Sequence, residues 1–353
     1  MAVDQDRLMD FLHRFVGDLG ATMAAGNVVV GHRLGLYTAL AERPATPAEL
    51  AMRTSTDARY VTEWLRGQAA GGYVTRDTAA EEETYFLTEE QAFCLTNPEN
   101  PVYAPGAFVL MLGTLRAEPR ITEAVRSGGG MGWHEHDGDV FVGTELFFRP
   151  GYHANLTTSW VPALDGVEAK LQAGGSVADI GCGLGASSVL LGEAYPAATV
   201  IGSDYHDGSI ELARKRAADA GVADRVTFEV ATAQTFHGTG YDLVTSFDCL
   251  HDMGDPLGAA RHVRQALAAD GSWMIVEPMA ADDPADNLNP VGRLYYSAST
   301  FLCLPNAKSQ SGGYALGAQA GEAAIRQVAT DAGFTRFARV AETPFNLVFE
   351  ARP

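Results

Sequence analysis

The sequence predicts an α/β fold preceded by a mainly helical winged-helix domain. Three observations carry this expectation. From Ser176 onward, short apolar runs alternate with amphipathic stretches, the rhythm of parallel strands joined by helices. The last two apolar runs, "GFTRFARV" and "FNLVFEARP", lie a few residues apart and should pair antiparallel. Before residue 100 the order is helix, turn, helix and hairpin. A chain of 353 residues can hold more than one domain. The expected division is 1–100 for a helical and winged-helix dimerisation domain, 101–170 for a helical connector and cap, and 171–353 for the ligand-binding domain.

Residues 1 to about 42 place apolar side chains at three- and four-residue spacing, as a helix does. Thr46-Pro47 opens a short helix with Pro at its first position. Ser55 to Asp57 turn the chain and cap a second helix, which stops at Gly71-Gly72. "GYVTR" and "TYFLT" then read as a hairpin. Residues 100 to about 170 read as helical, interrupted by "SGGGMGWHEHDGD", expected to be a mobile loop. Strands are predicted at 176–181, 199–204, 226–230, 241–247 and 272–277, with helices between them.

Charge narrows the function classes. Net charge is −19, which disfavours nonspecific binding to nucleic acid or anionic membrane. Between Thr46 and Glu90 four basic residues face nine acidic ones, so the winged helix itself lacks the positive face that DNA requires. A dimerisation or cap module is the expected reading. The segment "NVVVGHRLGLYTAL" is too apolar to lie alone in water, which points to a homodimer. No run of about 18 apolar residues occurs, and the acidic N-terminus does not read as a secretory signal. The four cysteines lack C-x-x-C pairing, which suits a reducing cytoplasm.

The chemistry concentrates in "VADIGCGLG", an apolar strand running into a turn with Gly181, Gly183 and Gly185. A dinucleotide turn would carry its third glycine one residue later. Asp179 stands beside the turn, where an acid repels phosphate and attracts a cation. The turn therefore suits a nucleoside with a positive charge and no phosphate. Asp204, 19 residues after Gly185, ends the second strand where it can accept ribose hydroxyls. Thr232 and Ala233 end the third strand, at the expected adenine edge, and Asp248 follows the fourth.

With "DIGCGLG" as glycine motif and "SDYH" (Asp204, Tyr205) as ribose motif, the chain resembles class I S-adenosylmethionine-dependent methyltransferases over about residues 170–353. The front half extends the likeness to small-molecule O-methyltransferases. "FFRPGY", "FDCLHDMGDP" and "ALGAQAGE" resemble actinobacterial winged-helix methyltransferases. The resemblance implies a Rossmann-like, seven-stranded sheet with an antiparallel last strand, and S-adenosylmethionine as cofactor, leaving as S-adenosylhomocysteine. It also implies cofactor contacts from Asp179, Gly181, Gly183, Asp204, Tyr205, Thr232, Ala233 and Asp248. Thr232 departs from the family, which has an acid there.

His251 in "HDM" matches the family position that takes the acceptor's proton, and an imidazole suits that task near neutral pH. A structural or substrate-contact role is the competing reading. O-methylation is expected, with S- or C-methylation and a cofactor-sensing transcriptional regulator as alternatives. Arg149 and Arg293 could clamp a carboxylate, while Tyr152 and Tyr296 could wall an organic substrate. His134 and His136 alternate without a third ligand, and no histidine follows Glu277, so no metal is expected.

Overall fold

A computed structural model describes residues 3–353. The chain forms two compact units, one built from residues up to 112 with 142–150, the other from 113–141 with 151–353.

The first unit begins with α1 (Gln5–Arg33), whose N-terminus Asp4 caps through the Asp6 and Arg7 amides. The expected continuous helix breaks at Gly35, which adopts φ 66° before α2 (Leu36–Glu42). Thr46 and Glu49 close a capping box on α3 (Pro47–Thr54), satisfying amides the first turn leaves open. Ser55 turns left-handed and Asp57 caps α4 (Ala58–Ala70), as the sequence predicts. The hairpin is β1 (Thr75–Asp77) against β2 (Thr84–Phe86). Helices α5 (Glu89–Leu95) and α6 (Pro105–Leu115) follow. Leu36, Leu40, Leu50, Trp64, Leu65 and Tyr85 pack its core. Together α3, α4 and the hairpin form the winged helix.

Next come α7 (Glu118–Ser127) and α8 (Gly138–Asn155), the latter contributing residues 142–150 to the first unit. Gly143 explains that membership. A Cβ there would sit 2.3 Å from the Leu110 backbone, so only glycine lets α8 lie against α6.

The second unit continues with α9 (Val167–Gln172), β3 (Ser176–Ile180) and α10 (Ala186–Ala194). It then runs through β4 (Thr199–Asp204), α11 (Asp207–Asp219), β5 (Val226–Val230), β6 (Tyr241–Phe247) and α12 (Pro256–Ala266). After β7 (Leu267–Pro278) come α13 (Pro290–Phe301), α14 (Cys303–Ser309), α15 (Gly321–Asp331), β8 (Arg336–Glu342) and β9 (Asn346–Arg352). The seven strands lie in the order β5-β4-β3-β6-β7-β9-β8. β3 to β7 pair parallel, and β9 pairs antiparallel with both β7 and β8. Strand β7 starts earlier than the sequence suggests, because Leu267 pairs with Tyr241 before a register shift.

The glycine-rich loop is tied to its neighbours by specific contacts. Met131 is buried and its amide donates to the Pro305 carbonyl, while the Trp133 amide donates to Asn306 Oδ1. Glu135 joins Arg120 in an ion pair. Glycine content suggested freedom, but the small residues here serve close approach to α14.

Candidate active site

The sheet order reverses at β3, which has β4 on one side and β6 on the other. Ligands of open α/β sheets bind beyond the strand ends at such a switch point. The turn leaving β3 holds Gly181, Gly183 and Gly185 at φ 68°, 52° and 81°, left-handed values that favour glycine. A Cβ on Gly185 would meet Ala213 Cβ at 2.8 Å, whereas one on Gly183 would meet nothing within 4 Å. One glycine thus lets the turn pack against Ala213 of α11 and Phe228 of β5, and the other leaves the turn open.

Asp204 ends β4 across from this turn. Its Oδ2 accepts from the Gly183 amide at 3.0 Å and its Oδ1 from the His206 amide at 2.9 Å. Burial pushes its carboxyl up, against the downward pull of those amides. Each oxygen keeps acceptor capacity for a further hydroxyl. Tyr205 is 41% exposed beside it. Thr232 and Ala233 form the turn after β5, where Thr232 Oγ1 lies 2.9 Å from Thr235 Oγ1.

Asp179 has a different surrounding from the one its charge suggested. It is fully buried, and its carboxylate accepts from Ser187 at 2.6 Å, Ser188 at 2.5 Å and Thr245 at 2.9 Å. Burial pushes its carboxyl up while the hydroxyls pull it down. It ties α10 and β6 to β3.

The second cluster lies beyond β6 and β7. Asp248 adopts φ 50°, unusual for a residue with a Cβ. Its amide stays with the sheet by donating to Val276 at 2.8 Å. Tyr152 Oη donates to one Asp248 oxygen at 3.2 Å and Asn346 Nδ2 to the other at 2.9 Å. Burial, followed by the charge of Glu277, pushes the Asp248 carboxyl up to about 8.

His251 sits in a single turn, Leu250–Asp252, and is 3% exposed. Its Nδ1 lies 2.6 Å from Glu277 Oε2, and the other Glu277 oxygen accepts from the Leu250 amide at 3.0 Å. Its Nε2 lies 3.2 Å from Cys303 Sγ. Burial alone would push the imidazole down. Glu277 and Cys303 outweigh it, and the ring titrates well above the ordinary 6.5. Neighbouring Asp252 is pushed up to about 7, chiefly by burial.

The sequence reading missed Glu277, Cys303, Asn306 and Asn346. Glu277 had a signal, an acid within the apolar run "WMIVEP". The other three depend on how the segments after β7 fold back. Of the expected substrate residues, Tyr152 is nearly buried against Trp160 and Phe247 and reaches Asp248. Tyr296 and Arg293 are exposed on α13. Arg149 belongs to the first unit, where Glu99 holds its guanidinium. His134 rests its ring edge against Tyr205, with centroids 6.0 Å apart, and Phe141 stacks on His206 at 4.8 Å.

The donor set around the turn is acidic and hydroxylic, which fits a nucleoside bearing a sulfonium and an amine better than a phosphate. The comparisons agree. A family described as a methyltransferase domain matches residues 171–314, and an Rv2258c-like winged HTH domain matches residues 21–97. The chain is similar to 27-O-demethylrifamycin SV methyltransferase of Amycolatopsis mediterranei, at 30% identity over 131 residues, 35% of this chain and 48% of that protein. It spans about half the length, or less, of the curated relatives it matches.

Among solved structures it is similar to human N-acetylserotonin methyltransferase in complex with SAM (TM-score 0.74, 16% identity, 100% of this chain and 99% of that one). It is also similar to mitomycin 7-O-methyltransferase (TM-score 0.70, 20% identity, 99% and 100%). At such identities the likeness establishes the fold. The chain thus carries a methyltransferase domain matched over residues 171–314 and an Rv2258c-like winged HTH domain matched over residues 21–97, in the fold of the SAM-bound methyltransferase it resembles.

Proposed function

We propose that the protein O-methylates a small-molecule acceptor, with His251 as general base. The observation supporting this reading is the buried His251–Glu277 pair beside the strand ends where the cofactor's crevice begins. In this reading Asp204 holds the ribose, the Gly181–Gly183 turn and the Thr232-Ala233 edge border the nucleoside, and Asp248 faces the amino-acid end. When bound, S-adenosylmethionine supplies an electrophilic methyl on sulfur. The protein's work is to position the acceptor and remove its proton.

His251 Nε2 takes that proton from the acceptor hydroxyl. Glu277 fixes Nδ1 as the protonated nitrogen and stabilises the imidazolium that forms. Tyr152, Arg293 and Tyr296 are the acceptor contacts we expect on the second unit.

The test is turnover as a function of pH with a hydroxylated acceptor. The wild-type rate should rise through a midpoint above 6.5, because the base must lose a proton that Glu277 helps retain. His251→Ala should lower kcat by about 10²–10⁴-fold with cofactor affinity little changed. A flat profile together with an active mutant would reject base catalysis in favour of an acceptor without a proton to lose, such as a thioether.

A DNA-reading role is disfavoured by the winged helix itself. On α4, Arg59 pairs with Glu63 at 2.6 Å, and Arg66 makes two hydrogen bonds to Glu83 at 2.9 and 2.8 Å. We further propose that α1 joins a second copy. Phe11 (61% exposed), Phe15 (47%), Val16 (65%) and Met23 (76%) offer apolar area that a homodimer would cover. Light scattering should report twice the 37.5 kDa chain mass. The four free thiols are in keeping with a cytoplasmic location.

A further inference from the structure

Glu277 grips only one edge of the His251 ring. The other edge meets a sulfur, with Nε2 3.2 Å from Cys303 Sγ, and Cys303 is 8% exposed. Cys303 opens α14, on the far side of the insertion that follows β7. A second contact fixes that helix to the same turn, because Asn306 Nδ2 donates to the Asp252 carbonyl at 3.1 Å.

We propose that Cys303 is a positioning residue for His251, clamping the Nε2 edge as Glu277 clamps Nδ1. This inference rests on the reading of His251 as the base. While the imidazole is neutral, with its proton on Nδ1 toward Glu277, Nε2 is an acceptor and the thiol donates to it. Once Nε2 carries a proton, the sulfur becomes its acceptor. The same contact therefore orients the free base and steadies its conjugate acid. The acceptor hydroxyl must approach Nε2 beside the sulfur, so residue 303 also sets how much room that hydroxyl has.

Glu277 faces the ring from β7, Asp248 and Asp252 flank it in sequence, and Cys303 faces it from α14. Of these, Cys303 alone can be exchanged without altering a carboxylate.

The experiment follows His251 directly by NMR titration of histidine-labelled protein, assigning its signal among nine histidines with His251→Gln. Turnover is measured in parallel as a function of pH. Because a hydrogen bond from the imidazolium is charge-assisted and stronger than one to the neutral ring, Cys303→Ala should move both the titration and the rising limb of the rate profile to lower pH. It should lower kcat roughly two- to tenfold, the worth of one hydrogen bond. Cys303→Ser should restore much of the loss, because a hydroxyl can donate or accept in the same place. If Cys303→Ala fails to fold, Cys303→Val fills the space without a hydrogen-bonding group and repeats the measurement.

An unchanged His251 titration in the Ala or Val variant overturns the proposal. A titration that moves while the rate profile does not leaves the clamp standing and removes His251 from base catalysis.

Discussion

In the winged-helix unit, Glu83 meets Arg66 through two hydrogen bonds and takes a third from Tyr85, and its carboxyl is held down at about 2. In the second unit, Asp248 meets only Tyr152 and Asn346 among neutral donors, and its carboxyl is pushed up to about 8. The first acid is a surface charge matched by its partner, with water screening what remains. The second is desolvated with another acid, Glu277, close by. That contrast separates charges that keep a protein soluble from charges arranged for chemistry.

Substitutions on the two sides should differ in both size and readout. The largest effect expected is the loss of turnover in His251→Ala, at unchanged fold and cofactor affinity. Asp204→Ala comes next. It removes a charged acceptor and should weaken S-adenosylmethionine binding about tenfold or more by calorimetry. Wild-type affinity in that variant would mean the carboxylate does not contact the ribose.

Asp248→Asn should act on stability and with the opposite sign. Because the native carboxyl titrates near 8 and an unfolded one near 3.8, the native state binds more protons between those values. Asp248 therefore costs stability increasingly as pH rises through that window. Replacing it should raise the thermal midpoint by about 2 °C or more at pH 8.5 and much less at pH 4. Equal midpoints at both pH values would show that the carboxyl is hydrated.

The smallest change belongs to the surface pair. Arg66→Ala should leave cofactor binding untouched and shift the midpoint by no more than about 2 °C. A large loss would mean that the pair holds the hairpin onto α4.

The elements were legible because their signals are local. β4, β5 and β6 fall on the predicted residues, since each is an apolar run bounded by turn residues. Thr46-Pro47 and Asp57 mark helix starts because capping is a contact over two or three residues. The candidate site was only half legible. Gly181, Gly183, Asp204 and His251 belong to short motifs, whereas Glu277 reaches His251 across 26 positions and Cys303 across 52. Such partners are chosen by strand order and by the fold of the segment after β7. Asp179 shows the opposite error. Its position in the motif suggested a charge facing the ligand, yet the Ser187-Ser188 pair and Thr245 enclose it.

The fastening of the glycine-rich loop has a consequence for protein engineering. Pro305 and Asn306 accept the Met131 and Trp133 amides, and a Cβ on Gly130 would sit 2.1 Å from the Ser309 amide nitrogen. The 128–137 and 303–309 segments are therefore one module written in two distant places. A chimera that transplants the region after β7 from a relative, in order to change the acceptor, must import the matching loop with it. Otherwise a foreign helix meets a loop cut to another shape, and the graft distorts the turn that carries His251.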